Sequence, residues 1–205
     1  MLAAGRFEWR EVTTAYRDVR ASARGEELRW LVNRECIHDT ATGQTLTRSI
    51  IRHPGVSVMV PITADDRVVL VRQYRYPIGR ALWELPAGTI AGRECDGRVM
   101  ATESPEETAS RELLEETGYE AARLEKIAEW HAMPGGHDQR VHLFVARDLR
   151  RRAQRLEAGE IIDEVRDFAP ADLEAMIACG DICDAKTLCG LFHVLARRPG
   201  GVRIA

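Results

Sequence analysis

The chain has 205 residues, 45% of them apolar and 30% charged, which is enough to close one well-buried core with a small sheet appended to it. Its 29 Lys and Arg stand against 32 Asp and Glu, and a net charge of −3 leaves no global field to draw it to nucleic acid or to a membrane surface. All the basic residues except Lys126 and Lys186 are Arg, a compositional bias that lowers the information carried by any single Arg.

The first ten residues contain Arg6, Glu8 and Arg10 without an apolar run, so neither a signal peptide nor a membrane span is expected, and the chain is assigned to the cytoplasm. Its five cysteines (Cys36, Cys95, Cys179, Cys183 and Cys189) are odd in number and form no C-x-x-C pair, which argues for buried thiols over a disulfide framework or a zinc knuckle. Residues 28–52 alternate, with Leu28, Trp30 and Val32 pointing one way and Asp39-Thr40-Ala41-Thr42-Gly43 supplying a turn, so the chain opens on a β-hairpin. A second hairpin, rich in Val, is predicted over 56–62 and 68–74 about Ala64-Asp65-Asp66, too apolar for an exposed sheet. Short strands follow at 140–146 and 161–168, separated by a polar run that reads as a solvated loop.

Three helices are predicted. The middle one starts at Ser104-Pro105-Glu106-Glu107, with Ser as N-cap, Pro in the first turn and Glu107 closing a capping box, and it stops at Gly118. The others cover 170–179, ended by Gly180, and 184–198, where Leu188, Leu191, Phe192 and Leu195 recur at helical spacing. No repeat or long linker divides the chain.

The middle helix carries the chemistry. Glu112, Glu115 and Glu116 fall at i, i+3 and i+4, three carboxylates on one face, and like charges at that spacing cost on the order of 0.2–0.5 kcal/mol per exposed pair. Arg111 alone cannot neutralise three, whereas a hard divalent cation takes carboxylate oxygens readily. On its own the run reads equally as a solvated acidic helix face. Upstream, Trp83-Glu84-Leu85-Pro86-Ala87-Gly88 ends a strand in a glycine turn where backbone can approach a phosphate or metal.

These residues resemble the Nudix hydrolase box, G-x5-E-x7-R-E-U-x-E-E-x-G-U, with U bulky and apolar: Glu103, seven residues, then Arg111-Glu112-Leu113-Leu114-Glu115-Glu116-Thr117-Gly118-Tyr119. The first Gly departs from the pattern. Gly97 has the literal spacing, but the Pro-Ala-Gly turn that supplies this Gly ends at Gly88, so an insertion within 89–102 is inferred. Val69 to Pro77, Leu82 to Gly88 and Gly180 to Leu188 are similar to the ADP-ribose pyrophosphatase branch. That resemblance implies an α/β fold, a Nudix α/β/α sandwich with a mixed sheet, in residues 53–205. Residues 1–52 would then form an N-terminal antiparallel sheet used for homodimerisation. It further implies Mg²⁺, or Mn²⁺ in its place, held by the Ala87 carbonyl, Glu112 and Glu116 with Glu115 assisting. The activity implied is hydrolysis of the pyrophosphate bond of ADP-ribose or a related nucleoside diphosphate sugar.

Hydrolysis of a stable anionic diphosphate needs a base for the water as well as cations. The branch places that base on a loop before the late strand, where Glu157, Glu160, Asp163 and Glu164 stand. Glu160 is chosen and Glu157 held in reserve, since Asp163 and Glu164 fall within the extended segment. By the same resemblance Arg75 and, more weakly, Arg52 contact phosphate, Gly88 lines the substrate site, and Trp30 stacks on the base, although Trp on an alternating strand equally packs a core. The aromatic partner expected near Thr47 or Arg48 is missing. His131 and His137 flank a loop that the branch places over the substrate, with Gln139 standing where an acidic residue is common. No His has ligand-like spacing to another His or Cys, which argues against zinc. The alternatives are a pyrophosphatase for other sugar nucleotides or coenzyme A-like diphosphates, and a non-catalytic ADP-ribose sensor. The sensor is disfavoured by the intact box and by too few residues after Phe168 for a DNA-binding domain.

Overall fold

The computed structural model describes residues 6–22, 25–156 and 160–196. Strand β2 (Gly25–Asp39) is the middle of an antiparallel sheet, paired on one side with β1 (Phe7–Ser22) and on the other with β3 (Gln44–Arg52), in register from Leu31↔Arg52 to Asp39↔Gln44. The front hairpin thus forms as expected, about the predicted turn. Strand β1 was not anticipated: it has few apolar residues at period two, so only its pairing with β2 reveals it. The inserted residues form a further hairpin on this sheet, β8 (Gly92–Cys95) with β9 (Arg98–Ala101), joined through Leu28↔Gly92. Its turn, Asp96-Gly97, has both residues at positive φ, the backbone of a type I′ turn. Residues 1–55, 89–103 and 131–140 make up the first of two compact units.

The second unit comprises residues 56–88, 104–130 and 141–205. Strand β4 (Val56–Pro61) runs parallel to β11 (Arg140–Arg151), from Val56↔Val141 to Pro61↔Ala146, in a mixed sheet ordered β10-β11-β4-β7, where β10 is Tyr119–His131 and β7 is Ala87–Thr89. A separate antiparallel sheet sets β5 (Val68–Arg75) between β6 (Arg80–Glu84) and β12 (Ile162–Phe168). The second hairpin is therefore corrected: β4 and β5 meet through a single bridge, Ile62↔Val68, and then enter different sheets. Residues Val56 to Ile62 are buried without interruption, the pattern of a strand covered on both faces, and such a strand can take a parallel partner from far along the chain.

Alternation assigns the two faces. Val56, Val58 and Val60 with Val141 and Leu143 meet Leu173 of helix α2 (Pro170–Cys179) and Leu191 and Leu195 of helix α3 (Ala185–Leu195). Met59, Phe144 and Ala146 face the other way, onto Ala109 and Leu113 of helix α1 (Pro105–Thr117). Helices on both faces of a mixed sheet are the α/β architecture expected. Gly190 permits the close approach of α3, since a Cβ there would lie 2.5 Å from Leu85 Cδ1.

Helix α1 has the predicted ends: Glu107 N–H donates to Ser104 Oγ (3.2 Å), Ser104 N–H donates to Glu107 Oε2 (2.8 Å), and Gly118 closes the helix at φ 70°. Asp184 caps α3, and residues 197 and 198 of the predicted third helix lie outside the described residues. Two further expectations are corrected. Four cysteines are exposed and Cys36 is half-buried, because they sit at a hairpin tip (Cys95), a helix end (Cys179), a connection (Cys183) and the outer face of α3 (Cys189). Arg147, Arg150 and Arg151 belong to β11, which continues past Ala146 as a solvent-facing strand with Arg151 Nη1 donating to the Tyr119 hydroxyl (3.1 Å). Among the described residues no helix is long and apolar enough to cross a membrane.

Candidate active site

Helix α1 points Glu112 and Glu116, one turn apart, into the second unit, where they are 1% and 2% exposed. Burial raises the Glu112 pKa to about 7, against opposing attraction from Arg111 and with Glu160 and Glu115 adding to the rise. Burial also holds the Glu116 carboxyl well above the ordinary carboxylate range, reinforced by the charges of Glu112 and Glu160 and opposed by the Ala87 N–H and Arg75. Two buried like charges on one helix are costly unless a cation joins them.

One oxygen from each of Glu112, Glu116 and Glu160 lies within 4.8 Å of the others. The Glu112 Oε2 atom is buried and has no hydrogen-bond partner, an orphan acceptor that a cation would satisfy. The donor set is all carboxylate oxygen, which suits Mg²⁺ or Mn²⁺ and not a thiol-seeking or imidazole-seeking metal. The residues present therefore fit a hard divalent ion. Glu115 is half-buried, and its Oε2 accepts from Arg111 Nη1 (2.8 Å), which also donates to Glu112 Oε1 (2.8 Å).

Gly88 packs directly against Glu112. A Cβ at Gly88 would lie 1.9 Å from Glu112 Cδ, so only glycine lets the turn after β6 pass over the carboxylate. Gly97 instead forms the β8–β9 turn at φ 69°. The neighbouring Ala87 N–H donates to Glu116 Oε2 (2.9 Å), which fixes that carboxylate against the turn. Arg75, at the end of β5, makes a paired bond to Glu84, Nε to Oε1 at 2.8 Å and Nη2 to Oε2 at 2.6 Å.

The remaining candidates are placed as follows. Asp163 and Glu164 are exposed on β12 and pair with Arg72 and Arg166, at 3.5 and 3.3 Å. Glu157 lies outside the described residues. Trp30 and Arg52 belong to the first unit. The Trp30 ring stacks with His53, centroids 6.0 Å apart, with the Arg29 guanidinium 4.6 Å from its centroid. Arg52 grips Glu35 through Nε (2.8 Å) and Nη2 (2.6 Å), reaches Asp138 through Nη1 (3.0 Å), and lines a cavity of about 300 Å³ with Trp9, Glu35 and Arg48. Trp9, on the unanticipated strand β1, is a cavity-lining aromatic that the sequence reading missed. Glu84 was also missed. A Glu directly before Leu-Pro on an apolar strand is a signal in hindsight, because a buried charge there demands partners.

Residues 52–189 match the NUDIX domain family. The ADP-ribose pyrophosphatase of Bacillus subtilis (strain 168) is 34% identical over 147 residues, 71% of this chain and 74% of that protein. The ADP-ribose pyrophosphatase of Mycobacterium tuberculosis (strain ATCC 25618 / H37Rv) is 30% identical over 159 residues, 77% and 73% of the two chains. A crystal structure described as an ADP compounds hydrolase shares the fold, with a TM-score of 0.66 and 22% identity over 91% of this chain and 94% of that one.

Proposed function

The chain belongs to the NUDIX family, and on that premise we propose that it hydrolyses the pyrophosphate bond of ADP-ribose or a related nucleoside diphosphate sugar, giving a nucleoside monophosphate and a sugar phosphate. The observation that carries this reading is the pair of buried glutamates on one turn of α1, one with an orphaned oxygen, facing a third carboxylate. Glu112 and Glu116, with the Ala87 carbonyl, would hold Mg²⁺, or Mn²⁺ in its place. Held there, such an ion would supply positive charge to screen the diphosphate oxygens and to polarise the phosphorus. Glu115 acts through Arg111, keeping that cation against Glu112.

Glu160 accepts the proton of the attacking water, since its oxygen sits within 4.8 Å of those of Glu112 and Glu116, a grouping that includes neither Asp163 nor Glu164. Arg75 donates to the diphosphate, Gly88 leaves space for it, and Trp30 and Arg52 serve recognition of the nucleoside. The protein works in the cytoplasm as a homodimer assembled through the sheet of residues 1–52. Its kinship with two ADP-ribose pyrophosphatases supports ADP-ribose over coenzyme A-like diphosphates.

The test is to incubate purified protein with Mg²⁺ and a panel of dinucleotides and nucleotide sugars, and to separate the products by chromatography. AMP and ribose 5-phosphate from ADP-ribose are the expected pair. No turnover of any diphosphate would favour a sensor.

A further inference from the structure

Glu84 is 1% exposed at the end of β6, three residues before Ala87, and the proposed reaction gives it no task. Both of its oxygens are bound to Arg75, at 2.8 and 2.6 Å, and Oε2 also accepts from Lys186 Nζ. Lys186 in turn donates to Asp184 Oδ2 (2.8 Å), the N-cap carboxylate of α3. That oxygen also accepts from the Thr187 N–H (3.0 Å) and hydroxyl (2.8 Å), and Thr187 Oγ1 accepts from the Leu85 N–H (2.9 Å). The first turn of α3 is thereby fastened to the β6 end at two consecutive residues, Glu84 by charge and Leu85 by backbone. The next step along the same segment is Ala87, whose N–H holds Glu116.

We infer that Glu84 is a positioning residue for pyrophosphate cleavage: clamped by Lys186 of α3, it fixes the Arg75 guanidinium beside the Glu112–Glu116 cluster for use on the substrate's diphosphate. Three considerations carry this. A bidentate carboxylate removes the rotational freedom of a guanidinium, whose remaining N–H groups then point in one direction. Glu84 stands three residues before Ala87, whose N–H holds Glu116 (2.9 Å), so the guanidinium it grips is tied to the same short segment as the cluster. The two cations, Arg75 and Lys186, face two carboxylates, Glu84 and Asp184, so the group is neutral as a whole and holds Arg75 by geometry without an excess of charge. The inference rests on the proposed diphosphate substrate, but Glu84 touches neither substrate nor metal and acts only through Arg75.

The experiment is a double-mutant cycle of Glu84→Gln and Arg75→Gln, read in two ways on the full chain with Mg²⁺. The first readout is kcat/KM for ADP-ribose; the second is the Kd of its α,β-methylene analogue, whose P–C–P link resists hydrolysis. Each single variant is expected to lose tenfold or more in both, with the double variant no worse than Arg75→Gln, because the two residues act as one unit. Glu84→Asp should recover part of the loss. Losses that multiply in the double variant, or Glu84→Gln within threefold of wild type, overturn the inference.

If Glu84→Gln does not fold, Lys186→Gln replaces it, since Glu84 then keeps Arg75 but loses its clamp. A loss of three- to tenfold that vanishes in the Arg75→Gln background supports the inference, and an unchanged or multiplicative effect contradicts it. Coupled loss of analogue binding in a protein that cleaves no diphosphate would retain the positioning role and defeat the proposed reaction instead.

Discussion

At the residue scale the site is governed by Gly88 and the two buried glutamates. Gly88→Ala would drive a methyl group to within 1.9 Å of Glu112 Cδ, so either the turn or the carboxylate must move. Overpacking of this kind costs about 1–3 kcal/mol. We expect a lower urea midpoint and at least a tenfold weaker Mn²⁺ affinity; an unchanged midpoint with wild-type affinity would show that the turn does not press on the carboxylate. Protonation gives a second prediction. Glu112 and Glu116 titrate higher in the fold than the ordinary value of 4.5, Glu112 at about 7. Between those pH values the native state holds protons that the unfolded chain has released, so stability falls as pH rises. Metal-free protein should therefore melt at a lower temperature at pH 7.5 than at pH 5, and Mg²⁺ should restore Tm at pH 7.5 while doing little at pH 5, because the ion replaces the protons. A metal-free Tm that rises across this range would contradict the buried pair. Glu112 and Glu116 were legible in the sequence because box spacing fixes them on one helix, and Gly88 because it ends the Pro-Ala-Gly turn, against a literal spacing that falls on Gly97. The partners of Glu84 were not, since Arg75 and Lys186 are 9 and 102 residues away and nothing local pairs them.

At the scale of elements, α1 was legible to the residue because its ends are local chemistry: Ser104 and Glu107 within one capping box, Gly118 at positive φ. Strands β4 and β5 were found as strands but mispaired, since a run buried on both faces does not reveal which neighbour it takes. The hairpin β8–β9 was legible only as an insertion within 89–102, although Asp96-Gly97 is a strong turn signal. What anchors it is non-local: Asn33, fully buried on β2, donates through Nδ2 to the Gly97 carbonyl (2.6 Å) and accepts at Oδ1 from the Thr14 hydroxyl (3.2 Å). Asn33→Ala removes these bonds, together with a longer one from Nδ2 to Glu35 Oε1 (3.4 Å), and should lower unfolding free energy by about 1–3 kcal/mol, the cost of leaving such groups unpaired. Urea denaturation measures it, and a change below about 0.5 kcal/mol would mean that the hairpin is held by its own turn.

For the whole molecule, residues 1–52 do more than precede a catalytic domain. Their central strand β2 carries β8 and β9, the product of the insertion, and the buried Leu28, Leu31 and Glu35. A chain truncated to begin at His53 would strip that hairpin of its partner strand and is expected to aggregate or to melt well below the full chain. The full chain should sediment at twice its 23.0 kDa mass; a monomer would remove the dimer from the account. The central claim, that Glu112 and Glu116 hold the ion that enables diphosphate cleavage, is tested most directly by Glu116→Gln, which removes charge and keeps shape. Mn²⁺ binding by electron paramagnetic resonance and ADP-ribose turnover are measured on the same samples of variant and wild type. Both should collapse together in the variant while its circular dichroism is unchanged, whereas turnover within threefold of wild type would contradict the claim.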